Sequence, residues 1–277
     1  MSAQSQQPTT KGIIMKAFKH AAIALSVIGT LAAPAFAAAG KEARPTVVLV
    51  HGAFADATSW NGVAAKLRAD GYTVIGAANP LRSVKGDAET VATLVKSIKG
   101  PVVLVGHSYG GAVITTAAND QPNVKSLVYV AAFAPDQGET ALELSGRYPG
   151  GTLGSALAEP VALPGGGKDF YIQQAKFHQQ FAADVPKAQA ELMAVAQRPI
   201  AEAALTEAAG KPAWRQLPSY FIYGSADKNI PAAALGFMAE RAKSRKTVVV
   251  SGASHVVMTS HPAEVAQLIE TAATAAQ

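Results

Sequence analysis

The sequence predicts an α/β fold: a doubly wound, mostly parallel sheet of six strands, with a helical lid insertion. Short and almost wholly apolar runs recur along the chain, and such runs are typical of strands that are buried on both faces. Segments with helical spacing of their apolar residues separate these runs, which indicates right-handed strand–helix–strand units. The alternation is interrupted once, at about residues 134–214, where helical stretches and Gly and Pro clusters replace the strand runs.

Composition points to one globular domain with an insertion. The chain has 277 residues, of which 49% are hydrophobic and 16% are charged. Its net charge of +5 comes from 24 basic and 19 acidic residues, but three of the lysines and none of the acids lie in residues 1–37. The rest of the chain is nearly balanced and has no basic cluster interleaved with aromatic residues, so we expect no nucleic-acid binding. Because the chain has no cysteine, no disulfide or thiolate metal site is expected.

Residues 1–37 have the pattern of an export signal preceded by an extension. Lys16 and Lys19 supply the positive end, residues 21–31 form an apolar run, and Ala35-Phe36-Ala37 is a small-x-small cleavage site. Met15 is a candidate start. The alternative is an N-terminal membrane anchor, which the short apolar run and the clear cleavage site disfavour. We therefore predict cleavage after Ala37, a periplasmic or secreted protein without stable membrane insertion, and a folded domain at residues 38–277.

Four of the predicted strands precede the insertion, at residues 46–50, 72–77, 102–105 and 124–132. β-Branched side chains dominate the first and third of these runs, as expected for strands. Between them, a helix is predicted at 60–70, because Gly71 is typical of a helix C-terminus. A second helix, at 87–99, has apolar residues on one side. A third helix, from residue 112, directly follows the 102–105 strand.

The strand–helix alternation resumes after the insertion. Strands are predicted at 219–223 and 246–250, and a loop at 251–255 follows the second of them. Helices are predicted at 231–242, where Pro231 is suited to a first helical turn, and at 262–273. Inside the insertion, which we place at about 134–214, the clearest helical stretches are residues 169–183 and 187–196. These six strands and their connecting helices account for the predicted sheet.

Gly106-His107-Ser108-Tyr109-Gly110 lies between a predicted strand and a predicted helix. A Gly-x-Ser-x-Gly sequence in that position is typical of a nucleophile elbow, where a sharp turn exposes a serine hydroxyl. Gly106 and Gly110 are expected because side chains there would collide with the neighbouring strand and helix. The motif is short enough to arise by chance, but both flanks fit. A phosphate-binding loop is disfavoured, because no Gly-Lys-Ser/Thr follows the strand.

A serine nucleophile needs a base, and the base needs a partner that fixes its tautomer. His255 is the predicted base, because it stands just beyond the last strand, where open α/β sheets bind ligands. Asp227 follows its own strand on the same sheet edge, and the chain order Ser, Asp, His matches that of hydrolases. Asp120 and Asp136 are the competing acids. Of the remaining histidines, His20 lies in the leader, His51 is expected to brace its loop and His107 to be a packing residue. His261 is assigned to a helix start, and His178 lies in the insertion with nothing evident to orient it.

Backbone N–H groups are expected to stabilise the oxyanion that forms at the attacked carbonyl. We predict the N–H of Tyr109, directly after the serine, and the N–H of Ala53, in the loop after the first strand, with Phe54 as second choice. Phe54, Phe177 and Phe181 are candidate substrate-binding residues. An aromatic stripe within an insertion is nevertheless more often internal core, so both interpretations stay open for Phe177 and Phe181.

These motifs, taken together, resemble the α/β-hydrolase superfamily over residues 44–277. More narrowly, the sequence is similar to bacterial esterases related to the plant methyl-ester hydrolases and hydroxynitrile lyases. The resemblance implies a serine hydrolase that cleaves small to medium, largely apolar carboxylic esters through an acyl-enzyme, with Ser108, Asp227 and His255 as the triad. It implies no cofactor and no metal.

Departures from related families favour ester hydrolysis. Dehalogenases and epoxide hydrolases of this fold have aspartate where this chain has Ser108. Hydroxynitrile lyases of the plant group have threonine in place of Gly52 and lysine in place of Val256. Three alternatives stay open: cofactor-free haloperoxidase or perhydrolase chemistry, hydrolysis of an amide or carbon–carbon bond, and a non-catalytic ligand-binding protein. The oligomeric state is not predicted.

Overall fold

Nine strands occur in the computed structural model, which describes residues 44–275. They are β1 (Thr46–Val50), β2 (Val74–Ala77), β3 (Val102–His107), β4 (Val124–Val130), β5 (Val161–Ala162), β6 (Lys168–Phe170), β7 (Ile200–Ala201), β8 (Ser219–Gly224) and β9 (Lys246–Val250). Six of them form one parallel sheet in the order β2-β1-β3-β4-β8-β9. These are the six strands predicted from the sequence. The predicted α/β architecture is thereby confirmed.

Helices connect the strands of this sheet, and two more follow its last strand. They are α1 (Asn61–Ala69), α2 (Val84–Ser97), α3 (Tyr109–Ala117), α4 (Ala141–Gly146), α5 (Leu153–Ala156), α6 (Gln174–Phe181), α7 (Lys187–Ala196), α8 (Glu202–Thr206), α9 (Ala232–Arg241), α10 (Val257–Ser260) and α11 (Pro262–Thr274). Two packed pairs, α1 with α11 and α2 with α3, flank the sheet. As predicted, Gly71 follows α1 with a positive φ of 82°.

The centre of the sheet explains the long apolar runs. Residues 47–50 of β1 and 102–105 of β3 are completely or almost completely buried, as parallel strands covered by helices on both faces should be. The chain passes outward from β1 to β2 and returns to β3 on the other side of β1. This reversal is the switch point of the sheet, where the loops after β1 and β3 lie side by side.

The insertion between β4 and β8 differs from its prediction. A helix was expected at 169–183, but residues 168–170 form β6, and α6 covers only Gln174–Phe181. β6 pairs antiparallel with both β5 and β7, so the insertion contains a small three-stranded sheet as well as helices. The expectation failed because two- and three-residue strands are defined by their pairing partners. They leave no periodic pattern in the sequence.

Smaller differences concern element ends. α2 begins at Val84, three residues before the predicted start, because the Ser83 side chain accepts a hydrogen bond from the Gly86 N–H (3.0 Å) and caps the helix there. The short helix α10 was not predicted. The proposed export signal lies outside the residues that the structure describes. Among the described helices, none is both long and apolar enough to cross a membrane.

Candidate active site

The predicted elbow is formed where β3 ends and α3 begins. Ser108, between them, has φ 53° and ψ −124°, a conformation that residues other than glycine rarely adopt. The surrounding glycines allow it: a Cβ added to Gly106 would lie 2.6 Å from the Gly110 carbonyl oxygen, and one added to Gly110 would lie 2.5 Å from the Val50 oxygen. The motif therefore has the strained strand–turn–helix geometry that the sequence predicted.

The loop after β1 touches this elbow. A Cβ added to Gly52 would lie 2.6 Å from the Ser108 Cβ and 2.7 Å from the His107 carbonyl oxygen. β1 and β3 are neighbours in the sheet, with Val50 opposite Gly106. The convergence of these two loops, which the sequence predicted, is thus confirmed.

Two backbone N–H groups at this junction make no hydrogen bond within the described part of the chain. Within residues 44–275, neither the Ala53 N–H nor the Tyr109 N–H donates a hydrogen bond to another protein group. By contrast, the Phe54 N–H donates to the Arg198 carbonyl oxygen at 2.9 Å. Phe54 was the second choice for an oxyanion donor, and that choice is wrong because its N–H is already occupied. Among the described residues, the N–H groups of Ala53 and Tyr109 are thus left without a hydrogen-bond acceptor.

His51 braces the same loop. Its Nδ1 lies 2.9 Å from the Gly52 carbonyl oxygen, and the Asn79 N–H lies 3.4 Å from its Nε2. Burial lowers the pKa of His51, so the ring is neutral and Nδ1 carries the proton that it donates to Gly52. In a planar trans peptide the C=O and N–H point in opposite directions. Fixing the Gly52 carbonyl therefore also fixes the direction of the Ala53 N–H.

Asp227 and His255 form a buried hydrogen-bonded pair. His255 Nδ1 lies 2.7 Å from Asp227 Oδ2, and both side chains are almost completely buried. The other carboxylate oxygen, Asp227 Oδ1, accepts the N–H groups of Asn229 (2.8 Å) and Ile230 (3.0 Å). With both carboxylate oxygens engaged, Asp227 has a fixed orientation towards the imidazole. This is the arrangement that holds a histidine in one tautomer and leaves Nε2 for other chemistry.

His107 connects this pair to the elbow. Its Nε2 lies 3.2 Å from the His255 carbonyl oxygen, and the two rings are 4.8 Å apart. Burial holds the pKa of His107 well below its ordinary value, so this ring is neutral and Nε2 donates to His255. His107 also packs edge-on against the rings of Trp60 and Phe181. As predicted, it is a packing residue. Because His107 directly precedes Ser108, its contacts also connect His255 to the elbow.

The competing candidates lie elsewhere. The Asp136 carboxylate pairs with the Arg215 guanidinium, and Asp120 is exposed beyond the end of α3. His178 Nε2 lies 2.9 Å from the Val185 carbonyl oxygen, and His261 precedes α11 and contacts Glu264. Among the described residues, no three or more His, Asp or Glu side chains are grouped to hold a metal ion.

The three candidate substrate-binding aromatics form one cluster. The Phe181 ring lies 5.1 Å from the His255 ring, 6.1 Å from the Phe54 ring and 4.9 Å from the Phe177 ring. Phe177 is completely buried within the insertion, as expected of a core residue. Phe54 also lines a groove of about 340 Å³ that lies between the start of α1 and α7. Phe181 thus lies next to the His255 ring, and Phe54, the residue after Ala53, packs against Phe181.

Two polar contacts around the site were not anticipated from the sequence. The Tyr109 hydroxyl donates to Asp87 Oδ2 at 2.9 Å. Burial and, to a smaller extent, the Asp87 charge raise the pKa of Tyr109, so the hydroxyl stays protonated. The second contact involves Gln180 in α6, which hydrogen-bonds to the loop that carries Asp227. Neither Asp87 nor Gln180 belongs to a recognisable motif, because the partner of each lies far away along the chain.

Comparison with known proteins finds relatives of the whole fold. The carbendazim hydrolyzing esterase of Nocardioides sp. (strain SG-4G) is 33% identical over 138 residues, which are 42% of this chain and 57% of that protein. An extracellular alpha/beta-hydrolase from a Paenibacillus species is 25% identical, with a TM-score of 0.64 covering 83% of this chain and 99% of the other. A methylesterase protein from Arabidopsis shares the fold at 19% identity, with a TM-score of 0.66 covering 83% and 99%.

The predicted resemblance to the plant methyl-ester hydrolase group is therefore confirmed. The match with the Nocardioides esterase spans a little over half the length of that protein. Residues 47–268, which include every candidate residue described above, match the Alpha/beta hydrolase family as a whole. The chain belongs to the alpha/beta hydrolase family.

Proposed function

We propose that this protein is a serine-dependent hydrolase of carboxylic esters. The observation that carries the proposal is the buried hydrogen bond between His255 and Asp227, held by His107 against the Ser108 elbow. A histidine oriented in this way can act as the base for a serine nucleophile, and nucleophilic attack of a serine on an acyl group requires such a base. Names of relatives agree with this class, since the Nocardioides relative is an esterase.

In the acylation step, Ser108 Oγ attacks the ester carbonyl carbon while its proton passes to His255 Nε2. The carbonyl π electrons move to the oxygen, and the resulting oxyanion accepts hydrogen bonds from the Ala53 and Tyr109 N–H groups. Asp227 stabilises the imidazolium through Nδ1. The tetrahedral intermediate then collapses: the bond to the alkoxy oxygen breaks, and His255 returns its proton to the leaving alcohol. An acyl-serine remains.

Deacylation repeats the same steps with water as the nucleophile. His255 Nε2 takes a proton from water as the water oxygen attacks the acyl carbon, and the same two N–H groups stabilise the second oxyanion. When this intermediate collapses, Ser108 leaves and recovers its proton from His255. The products are a carboxylic acid and the free serine, and no cofactor takes part in any step.

The surroundings favour small to medium, largely apolar esters as substrates. Ser108 is only 7% exposed, the Phe181 ring lies next to the His255 ring, and the Phe54 ring packs edge-on against Phe181. Apolar surface of this kind binds acyl and aryl groups by the hydrophobic effect, whereas a charged group would lose its hydration without a compensating ion pair.

Covalent labelling by a fluorophosphonate probe tests the proposal. The parent protein is expected to be labelled, and Ser108→Ala is expected to lose labelling and roughly 10⁴- to 10⁶-fold in kcat towards short p-nitrophenyl esters, because the nucleophile is gone. Ser97→Ala, which changes an exposed serine at the end of α2, is the matched control and should behave as the parent does. Undiminished ester hydrolysis by Ser108→Ala would overturn the proposal.

A further inference from the structure

Gln180, the second-last residue of α6, makes hydrogen bonds with both polar atoms of its side chain, Nε2 and Oε1. Its Nε2 donates to the Lys228 carbonyl oxygen (3.0 Å) and to Asn229 Oδ1 (2.9 Å), and its Oε1 accepts from Thr152 Oγ1 (2.9 Å). The side chain belongs to the insertion, yet two of these bonds reach the loop after β8. Gln180 is only 7% exposed, so these bonds are shielded from water.

The segment that Gln180 holds is the one that orients the acid. Asp227 Oδ1 accepts hydrogen bonds from the N–H groups of Asn229 and Ile230, so the position of this turn sets the plane of the carboxylate. The other oxygen of the same carboxylate accepts the hydrogen bond from His255. A shift of the 228–230 turn would therefore be transmitted to the Asp227–His255 hydrogen bond.

The same end of α6 also contacts the loop that carries the base. The ring of Phe181, the residue after Gln180, lies 5.1 Å from the His255 ring. Ser254, the residue before His255, donates its hydroxyl to the Asp184 carboxylate and lies 3.4 Å from the Phe181 carbonyl oxygen. Residues 180–184 thus contact the Asp227 loop at one point and the His255 loop at another.

We infer that Gln180 is a positioning residue for the Asp227–His255 pair. The end of α6 keeps both side chains in the relative position that their hydrogen bond requires. The inference deepens the proposed function and depends on it. Hydrogen bonds weaken steeply when their geometry is distorted, and misplacing a catalytic group by about 1 Å can cost roughly 10²-fold in rate. The insertion therefore supports the chemistry directly, in addition to any contact that it makes with substrate.

Substitution of Gln180 tests this role. Gln180→Ala and Gln180→Met are expected to lower kcat by about 10- to 100-fold and to change KM by less than about 2-fold, because the change affects the reacting groups and not the substrate surface. Methionine has nearly the volume of glutamine, so it preserves packing and guards against a variant that fails to fold. Gln179→Ala, which alters the adjacent exposed glutamine, is the matched control and should equal the parent.

A double-mutant cycle separates positioning from a general structural effect. In a protein that already carries Asp227→Ala there is no carboxylate left to orient, so Gln180→Met should reduce the rate of fluorophosphonate labelling by less than about 2-fold. Equal losses in the parent and in the Asp227→Ala background, or a rise in KM with unchanged kcat, would overturn the inference. Failure of the proposed function would be recognised separately, because the parent and Ser108→Ala would then label alike.

Discussion

Gly224 shows how one missing side chain brings the acid and base loops together. It ends β8, and a Cβ added to it would lie 2.0 Å from the Ala253 carbonyl oxygen and 2.8 Å from that of Ser254. The two loops also share backbone hydrogen bonds, since the Ala226 N–H donates to the Ala253 oxygen at 3.1 Å. The close approach of Asp227 to His255 therefore requires glycine at this position.

Gly224→Ala is expected to destabilise the protein by at least about 2 kcal/mol and to lower kcat at least about 10-fold, because the new methyl group meets backbone that cannot rotate away. Thermal unfolding and ester hydrolysis measure the two effects. The control is Gly154→Ala in α5, where an added Cβ has nothing within 4 Å, so its stability should stay within about 1 kcal/mol of the parent. If Gly224→Ala and Gly154→Ala behave alike, the close approach of the two loops does not require glycine at position 224.

For single residues, the sequence predicted those that belong to motifs but not the residues that position them. Ser108 was found through its flanking glycines, and Asp227 and His255 through their places after strands. Gln180 and Gly224 carry no such signal. Their roles depend on partners 29 to 49 residues away, whose proximity exists only in the folded chain.

At the scale of the elements, Glu139 links the start of the insertion to α9. Its two carboxylate oxygens accept hydrogen bonds from Arg241 at 2.7 Å and 2.8 Å, and one of them also accepts from Arg147 at 3.0 Å. Burial alone would raise the pKa of Glu139, but the hydrogen bonds from Arg241, the Asp136 N–H and Arg147 outweigh it and lower the pKa to about 2. The charged carboxylate is therefore favoured by folding.

A pH dependence of stability follows from this shift. An unfolded glutamate has a pKa of about 4.5, so the contribution of Glu139 is complete above that pH and is lost as the pH falls towards 2. Glu139→Gln should lower the free energy of unfolding by about 1–2 kcal/mol at pH 7, after allowance for solvent screening. Each kcal/mol lost should lower Tm by roughly 2–4 °C. The difference in Tm from the parent should shrink between pH 5 and pH 2, by linkage.

Calorimetry of Glu139→Gln and of Glu159→Gln checks this prediction. Glu159 is exposed and has no ion pair within the described residues, so its substitution should leave Tm unchanged across the same range. A Tm difference for Glu139→Gln that stays constant from pH 7 to pH 3 would contradict the electrostatic account.

Elements differed in how well the sequence predicted them, for a physical reason. The buried parallel strands were located within a few residues, because burial on both faces requires continuous apolar runs. The helix expected at 169–183 was wrong over its first residues. Phe170 and Phe177 have helical spacing, but Phe170 lies in β6, whose Asp169 forms a 2.6 Å ion pair with Arg82. Only the tertiary partner reveals that strand.

For the molecule as a whole, topology explains why distant residues meet. The switch point between β1 and β3 brings the Ala53 loop to the Ser108 elbow, and β8 and β9 extend the same sheet with Asp227 and His255 after their carboxyl ends. In a parallel sheet all these ends lie on one edge. Strand order alone therefore predicts the side of the molecule that carries the site.

The last prediction concerns where the folded domain is delivered. If residues 1–37 are an export signal, expression in a Gram-negative host should yield periplasmic protein whose N-terminal sequence begins at Ala38. Cleavage requires small side chains at Ala35 and Ala37, whereas the side chain between them is tolerant. Ala37→Phe should therefore accumulate as uncleaved precursor in the membrane fraction, and Phe36→Ala should be processed like the parent.

Intact-mass measurement of each fraction distinguishes the outcomes. Periplasmic protein starting at Ala38 would support export, because only passage across the membrane exposes the chain to the signal peptidase. Uncleaved parent protein that stays in the membrane would instead favour the N-terminal anchor, and uncleaved protein in the cytoplasm would contradict both. An esterase released outside the cytoplasm would meet its esters before they enter the cell, so the result also decides where substrates should be sought.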